Sequence, residues 1–413
     1  MKKLIISISA AVIVTAILAG GCAKPAPSPT PTPVPEPSKT LDIGILTPLT
    51  GTFAFIGTKV QNGVLLAIDD QNKQGGVTIA GQKYVLNAII RDSKCDVVVG
   101  KSVAEELVLD KGVKVIIGPF IGDAVGAQRV TEQNKVIAFL MQPTVAGMTG
   151  PDKPYTFFFG PIPEQAYVNP AAYMQKFHPE AKTVVSMAGD TAALPLWVAA
   201  IKTVLPQYGL EWLGVEKVPV GSKDLMPIIS RVLAKNPDFI DTCTVGGMAG
   251  VGTLLPKQLR EAGFNGPIVM PASPSKGSLE EVVSKGYLTN IVINDCVIDS
   301  PIVTETYRDV YSRAKEKYQQ DPDALLFQAY NPTKAFFKFL DGQDTMDTTT
   351  WTEGFAKYHW QGIYGFENYW LGKKAWGIDR RVFVSPWVSE YKDGKLLTEF
   401  AAPLPYEMFV GEE

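Results

Sequence analysis

The 413 residues are 46% apolar and 20% charged, with a formal net charge of −3 at pH 7. That near balance lacks the basic excess expected of a nucleic-acid-binding chain. The length exceeds what one ordinary core accommodates, so two or more lobes are expected.

The chain starts with a positive segment, Met1 to Lys3, then an uncharged apolar run, Leu4 to Leu18, and the small-residue sequence Ala19-Gly20-Gly21-Cys22. This order is that of an export signal, and its last four residues resemble the lipobox of bacterial lipoproteins, with Ala19 where that pattern prefers Leu. The apolar run is at the short limit for spanning a bilayer. Residues 1–22 are therefore read as a lipoprotein signal peptide with Cys22 as the lipidated residue. Proline then occupies every second position from Pro25 to Pro37. Such a segment excludes helix and sheet and extends as polyproline. At about 3.1 Å per residue, residues 23–40 form a tether that holds the body roughly 50 Å from a membrane.

Beyond the tether, Leu41 to Leu46, Tyr84 to Arg91, Val113 to Ile117 and Val136 to Met141 read as strands. Helical periods separate them: Val60, Val64, Ala67 and Ile68, then Val103, Leu107 and Val108. A Pro/Gly-rich patch, Gly147 to Pro163, precedes a second series of strands at Thr183 to Met187, Phe239 to Thr244, Ile268 to Met270 and Asn290 to Ile293. One intervening helix keeps Trp197, Ile201, Val204 and Tyr208 on a single face. Val303 to Phe339 reads as two more helices, and Asp393-Gly394 suits a tight hairpin turn. Alternation of this kind predicts two α/β lobes with parallel sheets.

In such sheets ligands bind outside the carboxyl ends of the strands. The loops there are Thr47 to Gly57, Gly118 to Asp123, Gln142 to Gly147, Ala188 to Leu194, Val245 to Gly250 and Pro271 to Gly277, all rich in small residues or proline. Small residues let a ligand approach the backbone, although such loops also serve simply as turns.

The stretch Gly44-Ile45-Leu46-Thr47-Pro48-Leu49-Thr50-Gly51, with Gly57, Asn62-Gly63 opening a helix, Ala67-Ile68-Asp69-Asp70-Gln71-Asn72, Gly75-Gly76, Gly81, Arg91-Asp92 and Val115-Ile116-Ile117-Gly118-Pro119, is similar to the substrate-binding proteins of ABC transporters, branched-chain amino acid type. Ala262-Gly263-Phe264 and Gln328-Ala329-Tyr330 continue the likeness more loosely. The resemblance implies a type I periplasmic binding protein fold: two Rossmann-like lobes joined by a three-segment hinge around a ligand cleft. Mapped onto this chain, lobe one is 41–159, lobe two 160–290, lobe one continues over 291–378, and 379–413 is mostly lobe two. It also implies a monomer, tethered outside the cytoplasm, that passes a small organic ligand to an ABC permease and ATPase without a cofactor.

The departures from that family bear on the ligand. Thr144 lies in the loop that matches a carboxylate-binding threonine, with Ala146 the alternative alignment. The matching serine position is Gly122, followed by Asp123, which is read as a helix N-cap before a ligand group. Ala272 stands where the relatives carry an ammonium-binding acid. Tyrosines that line their pocket align near Ile56, Leu194 and Met248. The expected pocket is therefore apolar, suited to an uncharged or monoanionic molecule such as a carboxylate, with Asp190 as the candidate replacement acid. The full expected set adds Gln142, Pro143, Phe55 and Ile298. Trp351, Trp360, Tyr364, Tyr369 and Trp370 are read as packing residues. Cys95 matches a disulfide position whose partner here is Ile121, so that bridge is expected to be missing, while pairing of Cys243 and Cys296 is left open.

A secreted hydrolase is the alternative of a different class. Only His178 and His359 are available, and no G-x-S-x-G, HExxH or Walker motif occurs. A ligand-sensing receptor of the same fold is the other alternative, because fold does not separate carrier from sensor.

Overall fold

The computed structural model describes residues 39–402 except 143, 161, 162, 192, 249, 273, 275 and 385. Cys22, the tether and Pro143 lie outside the described residues. The described residues form one compact unit.

The first lobe is built in the order β1 (Lys39–Thr47), α1 (Ala54–Lys73), β2 (Val77–Ile79), β3 (Gln82–Asp92), α2 (Val97–Glu105), β4 (Val115–Ile117), α3 (Gly122–Gln133), β5 (Ile137–Leu140) and β6 (Thr156–Phe158). These strands form a six-stranded sheet in the order β2-β3-β1-β4-β5-β6, parallel except for the β2–β3 pair. Its central strands are uninterrupted apolar runs because both faces are covered by helices.

The second lobe follows with α4 (Pro163–Phe177), β7 (Thr183–Gly189), α5 (Leu194–Val204), β8 (Glu211–Val218), α6 (Met226–Leu233), β9 (Phe239–Asp241), α7 (Val251–Glu261), β10 (Ile268–Met270), α8 (Lys276–Val282) and β11 (Ile291–Ile293). The chain then forms α9 (Glu305–Tyr318), α10 (Ala324–Leu340) and α11 (Thr348–Phe355), the small pair β12 (Trp360–Gln361) and β13 (Glu367–Asn368), α12 (Lys373–Trp376), and the hairpin β14 (Trp387–Lys392) and β15 (Lys395–Ala401). The second sheet has the order β15-β14-β11-β10-β9-β7-β8, parallel from β11 to β8 and antiparallel at β14 and β15.

The hairpin turns at Asp393 and Gly394, both with positive φ, as the Asp-Gly pair predicts. Five strands had no counterpart in the sequence pattern: β2, β6 inside the Pro/Gly-rich patch, the edge strand β8, and the two-residue strands β12 and β13. Each of the first two is only three residues long, and β8 mixes charged residues with Gly214. Periodicity is weak over such lengths.

One core cluster joins β1, β4 and β5 to α1, α9 and α10, and it includes Trp351, Trp360, Tyr364 and Trp370, each at most 7% exposed. These aromatics are packing residues, as read. Tyr369 packs instead against the cluster under α4 and α5. Helices α1 and α10 touch closely at Gly63, where a Cβ would stand 2.2 Å from the Leu326 carbonyl oxygen. The contact is then clasped by Arg313, which donates to both Asp70 oxygens at 2.7 and 2.8 Å, and by the Tyr330 hydroxyl, which donates to Asp70 at 2.7 Å. The thiols of Cys95, Cys243 and Cys296 are free.

Candidate ligand-binding site

On lobe one the strand-end loops are held in place by carboxylates. Asp92 accepts the Leu49 N–H at 2.8 Å and the Thr50 hydroxyl at 2.5 Å, which pins the loop after β1 to the end of β3. Helix α1 begins at Ala54, eight residues before the expected opening at Asn62, because the Phe53 carbonyl already accepts Ile56 N and Gly57 N. Phe55 and Ile56 are therefore helical and not part of a loop. Ile56 is buried in the core, whereas Phe55 is 42% exposed.

Asp123 is fully buried, and its carboxylate accepts Phe120 N at 3.0 Å, Ile121 N at 2.9 Å, Ala124 N at 3.1 Å and the Ser93 hydroxyl at 2.5 Å. Burial pushes its pKa up, and these donors oppose the rise. The N-cap of α3 is Ile121, so Asp123 is not a cap in the expected sense. It reaches back from inside the helix to organise the preceding loop. Thr144 is 2% exposed, and its hydroxyl donates to the Ile121 carbonyl at 3.3 Å. Thr144, Gly122 and Asp123 thus meet around one loop, with the half-buried Gln142 two residues before Thr144. Cys95 adjoins them: a Cβ on Gly122 would stand 2.7 Å from the Cys95 carbonyl.

On lobe two the loops after β7, β9 and β10 converge. The Gly189 N–H donates to the Thr244 hydroxyl at 3.0 Å, and a Cβ on Gly189 would meet the Met248 sulfur at 2.8 Å. A Cβ on Gly246 would stand 1.9 Å from the Ala272 carbonyl, so only glycine permits this approach. Met248 and Ala272 are half-buried and share this edge. Leu194 is 7% exposed within the lobe-two core, and Ile298 packs against the lobe-one core while its carbonyl accepts Arg308 Nε at 3.0 Å. Asp190 is exposed and pairs with Lys217 at 3.0 Å.

Sequence reasoning passed over three groups at these edges. The hydroxyls of Thr47, which ends β1, and Thr242, which follows β9, are buried without a hydrogen-bond partner among the described residues. Asp295, two residues beyond β11, is half-buried, and burial pushes its pKa up to about 7; Asp323 adds to the rise while the Cys296 amide and Lys276 oppose it. The available signal was position alone: Asn294-Asp295 directly follows a predicted strand. Among the described residues no cluster suited to a metal ion occurs, and no helix is long and apolar enough to cross a membrane.

Comparison with known proteins places this geometry. The profile of the periplasmic binding protein family matches residues 40–387. The Leu/Ile/Val-binding protein BraC3 of Rhizobium johnstonii is 28% identical over 234 residues, 55% of this chain and 60% of that protein. A Leu/Ile/Val-binding protein homologue of Brucella melitensis is 30% identical over 232 residues, 54% and 59% of the two chains. The alignments thus span about 60% of the length of these relatives. Among solved structures, the branched-chain amino acid transporter substrate-binding protein LivJ of Streptococcus pneumoniae, in complex with isoleucine, superposes with a TM-score of 0.70 at 20% identity, over 88% of this chain and 99% of its own. A solute-binding protein of an ABC transporter from R. palustris, in complex with benzoate, gives 0.68 at 15% identity, over 91% and 98%. These relatives are binding proteins and not enzymes. With two doubly wound lobes of this topology and a family profile that runs from β1 to the start of β14, the chain belongs to the periplasmic binding protein family, among the relatives of the branched-chain amino acid binders of ABC transporters.

Proposed function

We propose that this chain captures a small organic ligand, a carboxylate or an amino-acid-like molecule, between its two lobes and delivers it to an ABC permease and ATPase while tethered outside the cytoplasm through Cys22. The observation that carries the reading is the pair of sheets whose carboxyl edges both end in glycine- and hydroxyl-rich loops, in a chain of this family. Gly122, Gln142 and Thr144 serve the ligand from lobe one, and Met248 and Ala272 from lobe two. Closure then presents a surface formed by both lobes to the permease, so that recognition and delivery are coupled through one hinge motion.

A thermal-shift screen of the purified chain against amino acids, aliphatic and aromatic carboxylates, amides and polyamines tests capture. A ligand at 100 times its dissociation constant adds about 2.7 kcal/mol and raises the melting temperature visibly. Silence across the panel removes the carrier reading. Tethering is tested separately by labelling cells with radioactive palmitate: the wild type takes up label and Cys22→Ala does not.

A further inference from the structure

Between β11 and α9 the chain passes from the second sheet to the core of lobe one. The first part of that passage is fastened to lobe two. The Asn294 side chain donates to the Ala166 carbonyl at 3.1 Å and to the Pro271 carbonyl at 3.0 Å. The Ser389 hydroxyl of β14 donates to the Asp295 carbonyl at 2.6 Å, the Val297 N–H donates to the Thr398 hydroxyl of β15 at 2.6 Å, and the Ser300 hydroxyl donates to the Thr398 carbonyl at 2.7 Å. Ser389, Thr398 and Ser300 are buried, so these bonds are shielded from water. Cys296 and Ile298 rest their side chains on the edge of the lobe-one core, but apolar contact is non-directional and tolerates rotation.

From Val303 onward the chain is held by lobe one. Val303, with Tyr307, Val310 and Ala314 of α9, packs in the core cluster of β1, α1 and α10, and the Thr304 hydroxyl donates to the Ile363 carbonyl at 2.5 Å. Between the two parts lies one turn, Ser300-Pro301-Ile302-Val303, closed by the Val303 N–H on the Ser300 carbonyl at 3.0 Å. Proline in its second place presets the backbone of such a turn, and Pro301 and Ile302 are exposed. The change of lobe along this passage is thus confined to four residues.

Arg308, in the first turn of α9, spans that turn. Its Nε donates to the Ile298 carbonyl at 3.0 Å and its Nη2 to the Ser300 carbonyl at 2.7 Å. A guanidinium carried by lobe one therefore grips two carbonyls of the segment fastened to lobe two. The Ser300 carbonyl receives the Val303 N–H as well, which fills both of its acceptor positions. Glu305 stands 3.4 Å from Nη1 and is 94% exposed, so the guanidinium is held by the two carbonyls more than by a carboxylate. A planar fork on two acceptors fixes an angle as well as a distance, which a lysine ammonium does not.

We propose that Arg308 is a latch across the hinge. It holds the lobes at the angle seen here, and it releases one or both carbonyls when they rotate about the 300–303 turn. Arg308 is a positioning residue: it acts through the hinge and not on the ligand, and it sets how much of a ligand's binding energy goes into moving the lobes. The proposal rests on the reading of the chain as a carrier that closes on its ligand, and adds to that reading the residue that sets the resting angle.

The test is hydrogen–deuterium exchange together with small-angle X-ray scattering on the purified chain without ligand, so that its outcome does not depend on capture. Arg308→Met keeps the apolar stem and removes the fork. It is expected to speed exchange in peptides covering residues 294–304 about tenfold or more, while peptides from β4 and β10 keep wild-type rates. It is also expected to shift the radius of gyration beyond the spread of replicate wild-type curves, because the angle between the lobes is no longer fixed. Arg308→Lys, which serves one carbonyl at a time, falls between the two and supplies the test where Arg308→Met fails to fold. Faster exchange with unchanged scattering makes Arg308 a local support and overturns the latch, as does wild-type exchange in both variants. A silent ligand panel beside a clear scattering shift removes the carrier reading and leaves the latch as a property of the fold.

Discussion

The carboxyl edges of the two sheets both carry aspartates, and they use them differently. On lobe one, Asp92 and Asp123 are occupied by N–H and hydroxyl donors of their own loops. On lobe two, Asp241 is buried beneath Tyr167, Ser186 and the Cys243 amide, whereas the side chain of Asp295 accepts the Cys296 N–H alone among the described residues. Lobe one therefore uses its two acids to organise its own loops, while on lobe two the buried Asp241 and the half-buried Asp295 differ in how many donors they hold. An aspartate at a strand end is not by itself a ligand group; what its oxygens already hold decides.

The largest test of this contrast is Asp123→Ala, which leaves three N–H groups and the Ser93 hydroxyl without their acceptor. It is expected to cost about 3 to 4 kcal/mol in urea unfolding. Stability near that of the wild type breaks the view that lobe one's acids are structural. Next comes the pH dependence of Asp241, whose pKa burial pushes up to about 6. The folded chain retains a proton there that the unfolded chain gives up near pH 4, so this group's contribution falls as pH rises from about 4 to about 6. The stability difference between wild type and Asp241→Asn is expected to change by roughly 2 to 3 kcal/mol across that window, in favour of the variant at the upper end. A difference flat with pH shows that Asp241 is already ionised in the fold.

Smaller effects sharpen the comparison. Thr144→Val is expected to weaken a hydrogen-bonded ligand by about 1 kcal/mol in calorimetry, with little change in melting temperature; unchanged affinity removes Thr144 from the site. Asp190→Ala breaks only an exposed pair with Lys217 and should shift stability by less than about 0.5 kcal/mol. A larger loss, or loss of ligand binding, restores Asp190 as a site residue.

Much of the fold was legible because its central strands are continuous apolar runs bounded by glycine or proline, as at Val115 to Ile117 and Ile268 to Met270. The hairpin was legible from a single dipeptide. The start of α1 was not, since Phe53 to Gly57 carries no capping side chain and its first turn is held by backbone bonds alone. The candidate site was legible as loops but not as roles. Asp123 and Asp190 differ in burial and in partners: Asp123 holds the distant Ser93 hydroxyl and three amides of its own loop, and Asp190 holds the distant Lys217, so neither role is written in the local sequence alone. Asp295 was passed over because only its position just beyond a strand marks it in the sequence.

The β11–β14 pairing joins Ile291–Ile293 to Ser389–Tyr391, almost a hundred residues later, with all of α9, α10 and α11 between them. The second sheet therefore lacks two of its seven strands until the last part of the chain has been made. Pairings of such separation form slowly, since a long loop must close before any contact compensates for it. A chain that emerges from an export channel amino end first would complete its first sheet while the second still exposes the edge of β11. That open edge is the point at which this protein is most exposed to aggregation before it ever meets a ligand.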